Sequence, residues 1–148
     1  WHTAALCSFQ RKIFNSEEKP SCYLYQPNKI MSALTNFETK TALVTGANSG
    51  LGFEAAAQLA EAGYGRVILA CRNLEKAEAA KIQLSERVGH DRFDTLEIDV
   101  SSIASAEMAA AELVNQSKTI STLLLNAGIV SGKEMKKSAD GIEMTFAA

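Results

Sequence analysis

Between Thr45 and Gly52 the chain reads Thr-Gly-Ala-Asn-Ser-Gly-Leu-Gly, with glycines at 46, 50 and 52. Glycines so spaced suit one kind of chemistry: they let bare backbone N–H groups approach an anion. Gly46 permits a tight turn, Gly50 a close approach of backbone to a pyrophosphate, and Gly52 close packing of a helix that follows. The first N–H groups of such a helix lack intrahelical partners and carry partial positive charge, which favours phosphate. Asn48, Ser49 and Leu51 fill the rest of the turn. The plainer alternative is a loop that only needs flexible glycines.

Arg72 stands 26 residues after Gly46, in the run Ala70-Cys71-Arg72-Asn73, which holds no acid. An acid near this position would accept a hydrogen bond from an adenosine ribose 2′-hydroxyl. A guanidinium suits a 2′-phosphate instead, through its charge and its bidentate fork, and Asn48 and Ser49 would add hydrogen bonds. The alternative is a solvated surface arginine. Cys71 has no histidine close in sequence and reads as a small apolar strand residue, not a nucleophile. With two histidines and no Cys-x-x-Cys pair, no metal site is expected.

The elements that would position these residues alternate strand and helix from Lys40 onward. Apolar runs predict strands over 41–45, 66–71, 93–98 and 122–126. Between them lies a first helix over 50–62, with Leu51, Ala55, Leu59 and Ala62 on one face and Gly63 as its stop. Small residues Ala55, Ala56, Ala57 and Ala60 suit close packing on a sheet. A second helix is capped by Asn73 and ends at Gly89, with Leu74, Ala77, Ala80, Leu84 and Val88 inward. A third is capped by Ser101 or Ser102, with Ile103, Ala106, Ala110 and Leu113 inward. Another helix begins at Asp140-Gly141. Such repeats predict a doubly wound parallel α/β sheet with ligands at the carboxyl ends of its strands.

Four motifs in order then resemble one family. The glycine turn resembles the TGxxxGxG signature of the short-chain dehydrogenases/reductases. Asp99-Val100 stands where that family places an Asp beside an adenine ring. Asn126-Ala127-Gly128 resembles its NNAG motif, with Leu125 in place of the first Asn, and Asp140-Gly-Ile-Glu-Met-Thr-Phe146 resembles its DG-x-E-x-x-F segment. The run Val67–Asn73 is similar to the retinol-dehydrogenase and protochlorophyllide-reductase branch. The resemblance covers residues 40–148 and implies a Rossmann-type sheet, truncated after the fourth strand. It implies an NADP(H)-dependent oxidoreductase that moves hydride to or from a small carbonyl or alcohol, NAD being the lesser alternative. The implied cofactor-binding residues are Gly46, Asn48, Ser49, Gly50, Leu51, Gly52, Arg72, Asn73, Asp99, Val100, Asn126, Ala127 and Gly128. Asp99 also reads as a helix cap, and Asn126 as a structural residue.

The family's catalytic Asn, Ser and Tyr-x-x-x-Lys are expected after residue 148, so no catalytic residue is assigned. A non-catalytic NADP(H)-binding sensor or regulator on the same fold is the rival reading. An epimerase would more often read TGGxGFIG at the turn, and a methyltransferase usually lacks the NAG segment. The family also implies a homo-oligomeric parent.

Composition agrees with one globular domain. The 148 residues are 47% hydrophobic and 22% charged, with a net charge of -2. No basic run exceeds two residues, which argues against nucleic acid as a partner. Three scattered cysteines give no disulfide framework. Residues 1–38 hold both prolines and no periodicity, and are expected to form a disordered tail before a partial domain over 39–148. Met31 reads as a start site, and the chain as a fragment of a longer protein. A cytoplasmic location is expected, with an N-terminal targeting segment such as a mitochondrial presequence as the alternative.

Overall fold

The computed structural model describes residues 36–129 and 135–148. The expected tail therefore lies outside the described residues, except for its last three positions. There Phe37 stacks on Tyr64 at 4.8 Å between ring centroids, and Gly65 N–H donates to its carbonyl.

The elements are β1 (Thr41–Thr45), α1 (Gly50–Glu61), β2 (Arg66–Cys71), α2 (Leu74–Val88), β3 (Phe93–Glu97), α3 (Ile103–Asn115), β4 (Ile120–Leu124) and the short α4 (Met144–Ala147). All strand pairs are parallel, in the order β3-β2-β1-β4. The buried positions of the inner strands β1 and β2 are apolar, apart from Thr45 at the carboxyl end of β1, because both faces are covered. Ala42, Val44, Val67 and Leu69 pack with Ala56, Ala57 and Ala60 of α1 and with Ala77, Ala80 and Leu84 of α2. Leu43, Ile68 and Ala70 pack on the other face with Ala109 of α3. This is the expected doubly wound α/β sheet. The chain winds one way from β1 to β3, then crosses to β4 on the far side of β1. The direction of winding thus reverses between β1 and β4, where such sheets open a crevice at their carboxyl ends.

The second helix follows its sequence signals closely. Asn73 Oδ1 accepts from Lys76 N–H at 2.8 Å, and Gly89 closes the helix at φ 79°. Several faces and boundaries differ from expectation. On α1 the inward residues are Gly52, Ala56, Ala57 and Ala60, while Leu51 is 84% exposed and Ala62 is exposed. The cause is Gly52: a Cβ there would stand 2.5 Å from Asn126 Nδ2 and 2.5 Å from the Gly46 carbonyl oxygen. That contact fixes the helix rotation and turns Leu51 outward. On α3 only Ala109 is buried, and Ile103, Ala106 and Ala110 are exposed. The segment over residues 135–148 only borders that stripe, with Ile142 and Ala147 lining a groove beside it, and leaves it exposed. Leu74 is likewise exposed, at the first turn of α2. Strand β4 begins two residues earlier than expected, because Ile120 pairs with Thr41 across an irregular step in the ladder. Beyond Leu124 the backbone leaves the sheet toward Thr45. The last helix begins at Met144 and not at Gly141, whose φ of 79° belongs to a turn.

Candidate functional site

The carboxyl ends of all four strands border one cleft of about 310 Å³. Gly46, Asn48 and Ser49 enter it after β1, and Cys71 and Arg72 at the end of β2. Asp99 and Val100 enter after β3, and Asn126, Ala127 and Gly128 after β4. The chain brings these together because each strand ends in a turn at the same edge. Gly46 turns at φ 67°, with its N–H bonded to the Ala70 carbonyl at 2.8 Å. A Cβ on Gly46 would meet Ala127 Cα at 3.0 Å.

Thr45 joins the two sides of the topological reversal. Its hydroxyl accepts from Asn126 N–H and Ala127 N–H, both at 3.0 Å, and donates to the Leu124 carbonyl at 3.5 Å. The Asn126 side-chain amide donates to the Thr45 carbonyl at 3.0 Å. Asn126 thus does structural work at the cleft wall.

Ser49 is the N-cap of α1, yet its side chain makes no cap hydrogen bond, and the first turn of the helix holds no acid. The N–H end of α1 is therefore open to an anion. Gly50 adopts φ 59°, and no atom lies within 4 Å of where its Cβ would stand.

Asp99 accepts from the Ser101 hydroxyl at 2.6 Å and from Ser101 N–H at 3.0 Å. These bonds, the hydroxyl's foremost, hold its carboxyl below the usual range, with a smaller contribution from the Arg72 charge. Asp99 is thus a carboxylate at neutral pH. It does not cap α3 itself; Ser102 does, accepting from Ser105 N–H. Burial pushes the Cys71 thiol up, so it stays protonated despite backbone hydrogen bonds from Ala47 and Asn48. A protonated, buried thiol is a poor nucleophile.

Leu51, Gly50, Gly52 and Asn73 do not border the cleft directly. Leu51 points to solvent, Gly52 packs under the turn, and the Asn73 side chain is engaged in capping α2. Conversely, Thr45, Ser101 and Ile98 belong to the site's structure although the motifs did not single them out. Thr45 stood inside the quoted turn, but nothing in its type announced bonds to residues some eighty positions on.

A glycine turn on a parallel strand, a helix end with no side-chain cap, and an Asp and an Asn-Ala-Gly at the neighbouring strand ends constitute the arrangement. The family model described as short chain dehydrogenase matches residues 40–147. The chain belongs to the short-chain dehydrogenase family. Human retinol dehydrogenase 13 is 36% identical over 107 residues, covering 72% of this chain and 32% of that protein. Chloroplastic protochlorophyllide reductase of Chlamydomonas reinhardtii is 32% identical, over 82% of this chain and 30% of that protein. The branch suggested by the run Val67–Asn73 is thus represented among the relatives. Among solved structures, menthone neomenthol reductase from Mentha piperita superposes with a TM-score of 0.57 at 33% identity, covering 62% of this chain and 32% of that one. L-Sorbose reductase from Gluconobacter frateurii, solved with NADPH and L-sorbose, gives a TM-score of 0.57 at 26% identity, covering 68% of this chain and 38% of that one. The chain spans about a third of the length of the relatives it matches. Among the described residues, no helix is long and apolar enough to cross a membrane.

Proposed function

We propose that this chain is the cofactor-holding part of an NADP(H)-dependent oxidoreductase acting on a small carbonyl or alcohol. The observation that carries the reading is the setting of Arg72. It is exposed at the end of β2, borders the cleft, and makes no hydrogen bond or ion pair with another described residue. No acid stands at that strand end. The nearby carboxylate, Asp99, is engaged by Ser101. A guanidinium so placed is available for a ribose 2′-phosphate.

The remaining residues fit the same group. The N–H end of α1 and the bare surface of Gly50 would receive the pyrophosphate, with Asn48 and Ser49 supplying further donors. Asp99 and Val100 would flank the adenine end, and Asn126, Ala127 and Gly128 would close the wall between β1 and β4. The nicotinamide, when bound, supplies or accepts the hydride, and the protein's part is to hold and orient it.

Proton handling falls to the Ser and Tyr-x-x-x-Lys that the family places beyond β4. The only tyrosine after the glycine turn is Tyr64, which has Ile68 four positions on, and its hydroxyl bonds Thr122 Oγ1 at 2.7 Å. Tyr25 and Lys29 have the pair's spacing, but they precede β1 and lie outside the described residues. Residues 1–148 alone should therefore perform no hydride transfer. The test is steady-state kinetics of the full-length protein with ketones and aldehydes, using NADPH and NADH in parallel. A higher kcat/KM with NADPH is expected. Equal values for the two cofactors would refute the reading, as would turnover by residues 1–148 alone.

A further inference from the structure

The segment from Met135 to Ala148 lies across the start of α3, and one side chain ties it there. Asp140 Oδ2 accepts from Ile103 N–H at 2.9 Å, across 37 residues of sequence. Ile103 is the first residue of α3, and its N–H has no partner within the helix. The helix end is thus satisfied from two sides, by Ser102 on its own strand-to-helix turn and by Asp140 from the later segment. The segment is organised around this contact. Ser138 is buried; its N–H donates to the Ile142 carbonyl, its hydroxyl accepts from Asp140 N–H, and Gly141 N–H donates to its carbonyl. Lys137 and Glu143 form an antiparallel bridge, and Met144 N–H donates to the Lys136 carbonyl at 2.8 Å. The result is a closed strap of backbone with the Asp140 carboxylate at its tip.

The far end of the strap reaches the cleft, where Ala148 forms part of the wall together with Asp99, Val100 and Ser101. The near end of α3 connects to the same wall, because Asp99 N–H donates to Ser105 Oγ at 2.9 Å. One side chain therefore joins a wall segment to the helix that braces the adenine side.

We propose that Asp140 is a positioning residue for the cofactor: by holding the strap on the N-terminus of α3, it keeps the Ala148 wall of the cleft in place. The proposal rests on the reading of the cleft as a dinucleotide site. Charge alone works against such a role. A carboxylate near an anionic cofactor disfavours binding, so its removal should help if field were all that mattered. A loss of affinity on its removal is the mark of positioning. Linkage adds a reciprocal effect: if the strap's docking favours the cofactor, cofactor must favour docking to the same degree.

The experiment uses the full-length protein as wild type, Asp140→Ala and Asp140→Asn. NADPH affinity is measured by quenching of protein fluorescence, and trypsin cleavage at Lys136-Lys137 is timed with and without NADPH. An Asn side-chain oxygen can accept the same hydrogen bond, so Asp140→Asn should match or exceed wild-type affinity. Asp140→Ala should bind NADPH about five- to ten-fold more weakly, the effect of one lost helix-end partner. Its Lys136-Lys137 bond should be cut faster even without cofactor, and NADPH should protect it less than it protects the wild type. Unchanged affinity and cleavage in Asp140→Ala would overturn the proposal while leaving the cofactor reading intact. Equal losses in the Ala and Asn variants would also overturn it, since the bond survives in one of them. Failure of the wild type to bind NADPH would sink both readings together.

Discussion

At the scale of single residues, the glycine turn separates two jobs that its motif writes in one line. Gly52 is confined by Asn126 and by the Gly46 carbonyl, whereas Gly50 faces open space at a positive φ. Gly52→Val should therefore damage the fold, costing at least the 1–3 kcal/mol typical of overpacking, as read from thermal or urea unfolding. Gly50→Val meets no neighbour but is strained by the positive φ, so it should cost stability yet unfold less readily than Gly52→Val, and it should lose NADPH binding because the branched side chain would fill the proposed approach of the pyrophosphate. Similar melting temperatures in the two variants would dissolve this division. Thr45 supplies a third case. Thr45→Val leaves the part-buried N–H groups of Asn126 and Ala127 without their shared acceptor, a loss of at most about 1–3 kcal/mol per donor and less where water from the cleft replaces it. Thr45→Ser keeps the hydroxyl and should stay near wild type in urea unfolding. The positions of Gly46, Arg72, Asp99 and Asn126 at one cleft were legible from residue type and spacing. Thr45 and Asp140 were not, because their roles are long-range hydrogen bonds that no local pattern encodes.

At the scale of elements, the caps and stops read most clearly and the faces least. Asn73 and Gly89 bound α2 as their residue types require, since a side-chain acceptor and a left-handed residue act locally. Leu51 misleads because helical periodicity offers more than one apolar stripe on α1, and the choice is made by a glycine contact with another element. Ile103, Ala106 and Ala110 mislead for the converse reason: an apolar stripe predicts a covering partner, and the segment over residues 135–148 borders the stripe without burying it. Between α1 and α2, Arg87 forks onto both oxygens of Glu54, at 2.6 and 2.9 Å, and also reaches Glu61 at 3.7 Å. The Arg87 hydrogen bonds, with help from Gln58, lower the Glu54 carboxyl from 4.5 to about 2. A carboxyl lowered by folding stabilises the fold above its unfolded value and loses that contribution as pH falls. The loss should run from about pH 4.5 down to about pH 2. Both side chains are exposed, so the effect is small and screened by salt. Acid titrations of wild type and Glu54→Gln should differ only above about pH 2 and converge in high salt; a difference that persists in molar salt would contradict a surface pair.

At the scale of the whole molecule, the sheet is well covered on β1 and β2 and bare at β4. Leu123 and Leu125 are 57% and 76% exposed, and Leu124 is also open. The outer edge of β4 carries no partner among the described strands. An unpaired strand with apolar side chains is a template for association. A polypeptide of residues 1–148 alone should self-associate, seen as a concentration-dependent rise in light scattering. Charged replacements at Leu123 and Leu125 should reduce it, and a monodisperse monomer at all concentrations would refute this. That the sheet is parallel and doubly wound was legible from the spacing of strands and helices, whereas the order β3-β2-β1-β4 was not. The exposed edge was legible only in outline, since which strand lies outermost is decided by the crossover and not by any one segment. The central claim is that the cleft holds a nicotinamide dinucleotide by its 2′-phosphate on Arg72. The direct measurement is fluorescence titration of the full-length protein and its Arg72→Asp variant with NADPH and NADH. Charge-assisted hydrogen bonds of roughly 1.5–3 kcal/mol predict a preference for NADPH of about ten- to a hundred-fold, erased or reversed in the variant. Equal affinity of the wild-type protein for NADPH and NADH would contradict the account.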